Sequence, residues 1–458
     1  MQLTRELIHK YNIDGPRYTS YPTAPVWNND LDASRYIKIL KEATVQELSL
    51  YIHIPFCVKR CLYCACNVVI KNQQTAVADE YLDYLEQEII LVTNALPSRP
   101  LIKQIHLGGG TPTFLTIEQL TSLHKLIEKY FILQLDEYAI EIDPRSVDKA
   151  KIQHLKTLGF NRLSFGVQDF ATRVQKEIRR EHSFAEVLEL FNISRQANFQ
   201  SINLDLIYGL PYQTLETFHD TLDKVSMLKP ERIALYSYAY VPWIHKHQTA
   251  MNQDMTPAPA EKVSIFLQAR NSFLEQGYVA IAMDHFALKD DSLAQAYGNG
   301  SMKRNFMGYT TLATDNYLGL GVSSIGYINK HFIQNIKQLD AYYSSLSENK
   351  VATARGYSLN SDDIIRQWVI MTLMCSLQLR KQDFYSKFNQ VFDTYFASEL
   401  LALDSLIAEN FIINSSDDLQ VTGLGKTFVR NICMIFDSYL KSSKPSNGQQ
   451  HRVFSKTI

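Results

Sequence analysis

The stretch LSLYIHIPFCVKRCLYCACNV, residues 48–68, joins an apolar run to a loop that holds four of the six cysteines in the chain. The run is rich in residues that favour β-structure, so it predicts a buried strand. The loop that follows carries Cys57, Cys61, Cys64 and Cys66. In parallel α/β barrels the chemistry lies at the carboxyl ends of the strands, and the pattern predicts a functional site at this point.

Three kinds of site compete for these cysteines. A zinc site usually joins two ligand pairs a dozen or more residues apart, and no second pair lies at that distance. Disulfides are disfavoured because we expect a cytoplasmic protein, and they are rare in that reducing compartment. The spacing C-x3-C-x2-C of Cys57, Cys61 and Cys64 favours an iron–sulfur cluster with one open iron. Cys375 and Cys433 stand alone in apolar surroundings and are predicted core residues.

Composition limits the class of protein. The chain has 458 residues, a length that suits two or three globular domains. Of these residues 46% are apolar and 20% are charged, and the formal net charge is −1. It begins with no apolar leader and contains no run of about 18 apolar residues. The span 360–441 ends in a winged-helix-like pattern, but it has ten acidic and seven basic residues, which does not suit phosphate binding. We expect a cytoplasmic protein without nucleic-acid or membrane partners.

The fold follows from a repeated pattern of strand and helix. Six apolar, β-rich segments are each followed by a helical pattern; they lie at 48–54, 102–107, 137–142, 161–167, 201–208 and 232–239. This alternation predicts parallel strands with helical crossovers. Six units are two short of a closed barrel, so we expect an α/β fold with a partial, open (β/α)6 TIM-like barrel.

Two helices are specified in more detail. The first helix has one apolar face, which is formed by Leu82, Leu85, Ile89, Val92 and Leu96 at helical spacing. A capping box is predicted for the helix after the second strand, with Thr116 as N-cap and Gln119 three residues later.

Four regions are expected along the chain. Residues 1–35 form an N-terminal segment over the active site, and 36–330 form the barrel with an extension that becomes rich in loops. Residues 331–445 form a mostly helical C-terminal domain, and 446–458 form a polar tail.

Polar residues and glycines cluster at the predicted carboxyl ends of the strands. They are the cysteine loop, Gly108 to Gly110, Glu141, Asp143, Gln168 and Asp205, and Ala239 ends the sixth strand at the same edge. Three consecutive glycines remove every Cβ and expose N–H groups, which predicts that an anionic group approaches the backbone there.

The cysteine spacing after a strand resembles the radical S-adenosylmethionine (SAM) enzymes. Within them, the chain is similar to the oxygen-independent coproporphyrinogen III oxidase family. The similar stretches are YIHIPFC-x3-C-x-Y-C-x-C (51–66), GPRYTSYPT (15–23), LGGGTPT (107–113), EIDPR (141–145), FNRLSFGVQDF (160–170), DLIYGLP (205–211), MDHFA (283–287), RNF-x-GYTT (304–311) and RNIC (430–433). They run from about residue 10 to the C-terminus.

The resemblance implies a reaction and its partners. Cys57, Cys61 and Cys64 would bind a [4Fe-4S] cluster, and the reduced cluster would cleave SAM to a 5′-deoxyadenosyl radical. The radical would start the oxidative decarboxylation of two propionates of coproporphyrinogen III to vinyl groups, which gives protoporphyrinogen IX in haem biosynthesis. A flavodoxin-type electron donor and a monomeric state are also expected.

The resemblance further implies roles for individual residues. The SAM on the cluster would contact Tyr51, Gly109, Thr111, Glu141 and Ile325. A second SAM would contact Tyr63, Gly110, Gln168, Arg180, Asp205 and Ala239. The catalytic candidates are Tyr51, His53 and Cys66. The candidates for binding propionates are Arg17, Lys59, Arg60, His245, Lys303 and Arg304.

Two features qualify the resemblance. The family has C-G-C where this chain has Cys64, Ala65 and Cys66, and an alanine would be strained by about 1 to 2 kcal/mol if that position needs a positive φ. The alternatives are a related haem chaperone that binds haem without decarboxylating anything and a degenerate paralogue that is disabled at Ala65. Cys66 favours the oxidase, because the chaperone family has an aromatic residue there.

Overall fold

A mixed sheet of twelve strands forms the centre of the computed structural model, which describes residues 4–72, 75–311, 314–442 and 454–457, without the side chains of 441 and 442. The strands of the described chain are β1 Glu47–Ile54, β2 Phe56–Cys57, β3 Val69–Ile70, β4 Leu101–Gly109, β5 Ile132–Ile142, β6 Arg162–Gln168, β7 Ser201–Tyr208, β8 Arg232–Ser237, β9 Tyr278–Ile281, β10 His285–Leu288, β11 Lys303–Asn305, β12 Gly308–Thr310, β13 Tyr317–Leu320, β14 Ile325–Ile328, β15 His331–Asn335, β16 Thr353–Ser358, β17 Gln378–Arg380, β18 Ile412–Asn414 and β19 Asp418–Val421.

The α-helices surround this sheet and build the C-terminal part. They are α1 Arg5–Tyr11, α2 Ala33–Lys41, α3 Thr75–Ala95, α4 Ile117–Tyr130, α5 Lys149–Thr157, α6 Thr172–Glu177, α7 Phe184–Gln196, α8 Leu215–Leu228, α9 Pro259–Glu275, α10 Ser292–Gly298, α11 Leu339–Ser347, α12 Ser361–Ser376, α13 Lys381–Phe388, α14 Phe392–Tyr395, α15 Ala397–Ala408, α16 Val429–Ile435 and α17 Ser438–Ser442. Short 3-10 turns lie at Ala24–Val26, Pro112–Phe114, Pro144–Ser146, Lys246–Ala250, Gln253–Met255 and Gly425–Phe428. Within the described ranges, no helix has the length and apolar character to cross a membrane.

The sheet confirms the predicted open barrel. Its strand order is β16-β15-β14-β13-β1-β4-β5-β6-β7-β8-β10-β9, and β1 and β4 to β8 pair in parallel. Helices α3, α4, α5, α7 and α8 lie in the crossovers between them. The two ends of the order, β16 and β9, are edges, so the sheet does not close.

The region predicted as rich in loops supplies strands to the edges of the sheet. β13 adds a seventh parallel strand beside β1, β14 to β16 continue antiparallel, and β10 and β9 extend the other edge. The sheet therefore runs on to Ser358, beyond residue 330. These strands have four to six residues, too few for a clear alternation of apolar and polar residues.

The two predicted helix signals have counterparts in the structure. In α3, Leu82, Leu85, Ile89 and Val92 are buried against the sheet, while Leu96 follows the end of the helix. Thr116 and Gln119 form the capping box of α4. Cys375 and Cys433 are buried, as predicted for core residues.

The C-terminal part has its own apolar core. Helices α12 to α16 pack around the small sheet β17-β19-β18, and their core includes Leu7, Tyr18 and Tyr21 from the N-terminal segment. The Arg17 guanidinium donates to the Ser237 carbonyl at 2.7 Å, at the end of β8. The N-terminal segment thus lies between the C-terminal helices and the carboxyl end of a barrel strand.

The described part of the predicted polar tail, residues 454–457, is attached to the N-terminal segment. The Thr457 N–H donates to the Ile13 carbonyl at 2.8 Å, and the Gly15 N–H donates to the Ser455 carbonyl at 3.0 Å. The ammonium of Lys456 lies 3.0 Å from the Asp14 carboxylate. These four residues are therefore not a free tail. Residues 443–453 and 458 lie outside the described residues.

Candidate active site

The carboxyl ends of the parallel strands bring the predicted site residues to one edge of the sheet. The cysteine loop follows β1, Gly109 ends β4, Glu141 lies one residue before the end of β5, Gln168 ends β6, Asp205 lies within β7, and Ala239 follows β8. Because neighbouring parallel strands end at the same edge, the fold gathers residues that are far apart in sequence.

The cysteine loop is fixed at its base by backbone pairing. β2 pairs with β3, and the Gly110 N–H donates to the Ile54 carbonyl at 2.8 Å. A Cβ on Gly110 would lie 2.6 Å from the backbone of Pro55, so the third glycine is needed for this close approach. The Cys57 thiol lies 3.3 Å from the Thr111 hydroxyl.

Cys61 lies between two guanidinium groups. Its sulfur is 3.5 Å from Nη1 of Arg180 and 3.6 Å from Nη2 of Arg145. The Asp143 carboxylate binds both arginines, at 3.0 Å to Arg180 and 2.7 Å to Arg145. Burial alone would raise the pKa of Asp143, but the two guanidinium groups lower it well below its usual range. This network places fixed positive charge beside a thiol that must ionise to bind iron.

Arg180 is itself held in a pocket that a glycine makes possible. The guanidinium donates to the Gly166 carbonyl at 2.7 Å through Nε, and its side chain is only 9% exposed. A Cβ on Gly166 would lie 2.7 Å from Nη2 of Arg180 and 2.9 Å from the amide nitrogen of Gln168. Gln168 therefore lies beside Arg180, although the two are twelve positions apart.

The other thiols of the loop have different environments. Burial raises the pKa of Cys57 to about 11. A hydrogen bond with the Cys66 side chain is the main cause that lowers the pKa of Cys64 to about 7. The Cys66 N–H also approaches the Cys64 sulfur at 3.4 Å, and Cys66 itself is an exposed residue.

Ala65 carries no backbone strain. It is exposed, and it is not among the residues with a positive φ. The strain considered for alanine at this position of the loop is therefore absent, and Cys64 and Cys66 are not displaced for that reason.

Tyr51 and His53 form a hydrogen-bonded chain with a defined tautomer. The Asn67 carbonyl can only accept, so Nε2 of His53 carries the proton and donates to it at 2.9 Å. Nδ1 of His53 then accepts from the Tyr51 hydroxyl at 3.0 Å. Burial lowers the pKa of His53, which keeps the ring neutral in this arrangement.

Glu141 faces the barrel interior beside this chain. Its carboxylate accepts from Nε2 of His106 at 3.2 Å and from the Gly109 N–H at 3.1 Å, and 42% of the side chain is exposed. Burial opposes ionisation, but His106 and the Gly109 N–H outweigh it and lower the pKa of Glu141. The charged carboxylate is available to accept hydrogen bonds from hydroxyl groups.

We expect Gly109→Ala to damage this centre. Gly109 has a φ of +112°, and an added Cβ would lie 2.5 Å from the His53 ring. Strain and overpacking together predict a loss of about 2 to 4 kcal/mol in the free energy of unfolding. Gly159→Ala is the matched control, because Gly159 also has a positive φ but nothing lies within 4 Å of its Cβ position. Equal losses in denaturant titrations would mean that the His53 contact is unimportant.

Asp205 is a second carboxylate inside the barrel. It accepts from the Asn203 amide at 2.8 Å and from the Ser164 hydroxyl at 3.3 Å. Burial, with a smaller contribution from the Glu141 charge, raises the pKa of Asp205 to about 6. In the protein without cofactors, a cation placed beside Asp205 would therefore stabilise its ionised form.

This predicts a pH-dependent effect of Asp205→Asn on the protein without cofactors. The folded state binds the Asp205 proton more tightly than the unfolded state, so this group lowers stability as pH rises from about 4 to about 6. Above pH 7 the asparagine variant should therefore be more stable, by about 2 to 3 kcal/mol. At pH 4 the two proteins should be equal. Denaturant titrations at both pH values check this, and a variant that is less stable at pH 8 would contradict it.

The segment after β8 connects two of the remaining candidates. The Gln248 amide donates to the carbonyls of Tyr63 and Ala239, at 3.1 Å each. Nε2 of His247 donates to the Cys64 carbonyl at 2.7 Å. Ile325 begins β14 and contacts Gly319, which pairs with Tyr51 in the sheet. The geometry thus places Tyr63, Ala239 and Ile325 around the same loop and strand end.

Comparisons with known proteins identify the family. The radical SAM superfamily matches residues 51–225, and the HemN C-terminal domain matches residues 359–428. An oxygen-independent coproporphyrinogen III oxidase of Synechocystis is 42% identical and covers 100% of this chain and 98% of its own length. The protein of that name in Escherichia coli is 43% identical over 95% of both chains. The chain belongs to the oxygen-independent coproporphyrinogen III oxidase family.

A solved structure agrees with this family. Coproporphyrinogen III oxidase (HemN) from Escherichia coli, described as a radical SAM enzyme, superimposes with a TM-score of 0.89 and 40% identity. The match covers 92% of this chain and 97% of the other. The oxidase fold is therefore shared over the barrel and the C-terminal helices.

The donor set fits the cofactors of a radical SAM oxidase. Membership of the superfamily implies a [4Fe-4S] cluster and SAM. Cys57, Cys61 and Cys64 are unpaired thiols on one loop, and three thiolates are what such a cluster with one open iron requires. Among the described residues, no group of three histidine, cysteine or acidic side chains could hold a single metal ion.

Several residues of the oxidase site were not among the sequence candidates. Arg145 stands in EIDPR, the stretch that supplied Glu141 and Asp143, and an arginine two positions after an acid could have indicated an ion pair. His106 precedes the glycine run. His247 and Gln248 carry no sequence signal, because their roles depend on how the segment after β8 folds back onto the cysteine loop.

Proposed function

We propose that this chain catalyses the anaerobic oxidative decarboxylation of two propionates of coproporphyrinogen III, which yields protoporphyrinogen IX in haem biosynthesis. The observation that carries the proposal is the similarity over the full length, at 42% and 43% identity, to proteins named for this oxidase activity. The cysteine loop at the barrel edge supports it. The relatives give no support to the alternative of a haem chaperone.

In this proposal the cysteine loop holds the cluster. Cys57, Cys61 and Cys64 are the ligands, with the Thr111 hydroxyl beside Cys57 and the guanidinium groups of Arg145 and Arg180 beside Cys61. The two guanidinium groups place positive charge beside the Cys61 sulfur.

The neighbouring residues would bind two molecules of SAM. For the SAM at the cluster we propose Tyr51, Gly109, Thr111, Glu141 and Ile325; the Glu141 carboxylate suits the hydroxyl groups of a ribose. For the second we propose Tyr63, Gly110, Gln168, Arg180, Asp205 and Ala239. Because the pKa of Asp205 is raised to about 6, a sulfonium cation nearby would stabilise its ionised form.

The reduced cluster with SAM supplies the one-electron chemistry that removes hydrogen from the substrate. The protein's part is to orient the bound molecules and to hold protons at defined atoms. The Tyr51 hydroxyl directs its proton to His53, so its oxygen remains free to accept a hydrogen bond. Cys66 carries an exposed thiol next to Cys64. We propose Tyr51, His53 and Cys66 as the residues nearest the reaction.

The candidate cations for the propionates differ in their positions and in their partners. Arg17 donates to the Ser237 carbonyl, and Arg304 donates to the Tyr18 carbonyl at 3.3 Å, so both lie where the N-terminal segment meets β8. Lys303 pairs with Asp315 at 2.6 Å. Lys59, Arg60 and His245 lie on the cysteine loop and on the segment that covers it. We propose Arg17 and Arg304 as propionate partners.

We also propose a cytoplasmic monomer that receives electrons from a flavodoxin-type donor and has no nucleic-acid or membrane partner. All six cysteines are free, which suits the reducing conditions of that compartment.

The test is turnover by the reconstituted protein. The chain is loaded with iron and sulfide without oxygen, reduced, and incubated with SAM and coproporphyrinogen III. Chromatography should detect protoporphyrinogen and 5′-deoxyadenosine together. Deoxyadenosine without a changed porphyrinogen would refute the substrate, and tight haem binding without either product would favour the chaperone alternative.

A further inference from the structure

Two further segments cover the outer side of the cysteine loop and are bonded to it. The segment after β8 is joined by the bonds from His247 to the Cys64 carbonyl and from Gln248 to the Tyr63 carbonyl. The segment after β15 is joined by the Asn67 amide, which donates to the Lys337 carbonyl at 3.0 Å. We call the exposed surface of residues 58–60, 70–71, 243–247 and 337 the loop face.

The loop face has an unusual charge for this chain. Segments 55–72, 238–253 and 334–339 contain five lysines and arginines and no aspartate or glutamate, although the whole chain has 46 basic and 47 acidic residues. The nearest acids along the chain, Asp254 and Asp340, follow the segments. Glu177 is bound at the margin by the Asn252 N–H. Lys59, Lys71, Lys246 and Lys337 are exposed, so the exposed charge of the loop face is positive.

The same face exposes large apolar side chains. Val58 is 53% exposed, Ile70 41%, Trp243 40% and Ile244 58%. A group of exposed apolar residues surrounded by charge of one sign is characteristic of a protein interaction site. Three of the four side chains, Val58, Ile70 and Ile244, are aliphatic and have no group that binds a phosphate chain. The composition therefore points to a protein with an acidic surface.

The position of the face indicates what that protein does. Cys57 and Cys64 are partly exposed members of the loop itself, so a protein seated on the loop face stands directly beside the cluster ligands. Interfaces between electron-transfer partners are small and weak, and charge complementarity governs their association rate. A basic face beside a redox centre fits such a partner.

From these observations we infer that the loop face is the docking site of an acidic one-electron carrier protein that reduces the cluster. The inference rests on the proposed function for the cluster in this loop. The reduced carrier loses one electron and the oxidised cluster gains it, and no bond to the protein forms or breaks.

A double charge reversal tests this inference on the holoenzyme. Lys71→Glu with Lys246→Glu changes two exposed lysines of the face, and neither has been assigned a role in the chemistry. Lys125→Glu with Lys149→Glu, two exposed lysines on α4 and α5, is the control with the same change in net charge. Iron content and melting temperature show whether each variant is folded and loaded.

The readout is cluster reduction without substrate. Each protein is mixed with photoreduced flavodoxin in one arm and with dithionite in the other, and loss of cluster absorbance is followed at low and high salt. We expect the flavodoxin concentration for half-maximal rate to rise at least about fivefold for the loop-face variant at low salt. The control should not change, and dithionite should reduce all proteins alike.

Other outcomes would overturn the inference. An unchanged flavodoxin dependence, or an equal change in the control, would mean that the face does not dock the carrier. A raised KM for coproporphyrinogen III with dithionite as reductant would mean that the face admits the substrate instead. Since cluster reduction is measured without porphyrinogen, failure of the proposed decarboxylation would not be mistaken for failure of docking.

Discussion

Cys61→Ser is expected to lose the cluster and all product formation. Cys61 is buried, its sulfur lies between the guanidinium groups of Arg145 and Arg180, and a serine hydroxyl at that site would stay protonated and bind iron poorly. With two thiolates left, the loop cannot complete the three ligands that the cluster needs. Iron content should fall severalfold, and neither 5′-deoxyadenosine nor protoporphyrinogen should form.

Cys66→Ser is the matched control for this variant. Cys66 is exposed and is not counted as a ligand, so its serine variant should keep the iron content and the absorbance of the cluster. If Cys66 acts in the chemistry as proposed, the same variant should lose protoporphyrinogen formation. A Cys66→Ser protein without a cluster would contradict the assignment of the ligands.

Arg180→Met is expected to have the next largest effect. The guanidinium binds Asp143, the Gly166 carbonyl and the Cys61 sulfur from a buried position. Its loss leaves the Asp143 carboxylate with Arg145 alone and the Gly166 carbonyl without this donor. Breaking a buried ion pair on one side costs about 3 to 5 kcal/mol; because Arg145 remains, we expect about 3 kcal/mol in the free energy of unfolding.

Arg179→Met serves as its control, because Arg179 is the exposed neighbour in the same turn. Denaturant titration and equilibrium binding of SAM to the loaded protein separate two roles. A loss of stability with unchanged SAM stoichiometry would make Arg180 purely structural. If Arg180 contacts the second SAM, the variant should bind one SAM fewer.

Much of the barrel was predictable because its strands are long and apolar. The six parallel strands from β1 to β8 have six to eleven residues each, and each is followed by a helix. The strands of the sheet edges are shorter and carry no such pattern, which is why the region up to about residue 330 resembled loops and why the strands that follow it were not predicted. Local sequence is a weak guide where pairing partners decide the structure.

In the site, too, the residues fixed by local sequence were predictable, and those that depend on distant neighbours were not. Cys57, Cys61 and Cys64 are recognisable from their spacing, because all three ligands lie on one loop. The contact of Arg145 with Cys61 and that of His106 with Glu141 are not, since both depend on neighbours that the sheet brings together. Residues 454–457 are the extreme case. They pair with residues 13–15 at the other end of the chain, and a polar composition gives no hint of that contact.

The ratio of 5′-deoxyadenosine to protoporphyrinogen tests the central claim most directly. Each of two propionates should require one hydrogen abstraction and the loss of one further electron to an acceptor, so the reconstituted protein with SAM, dithionite, a one-electron acceptor and coproporphyrinogen III in the absence of oxygen should form about two deoxyadenosines for each protoporphyrinogen. Steady release of deoxyadenosine while coproporphyrinogen III remains unchanged would contradict the claim that this chain is a decarboxylating oxidase.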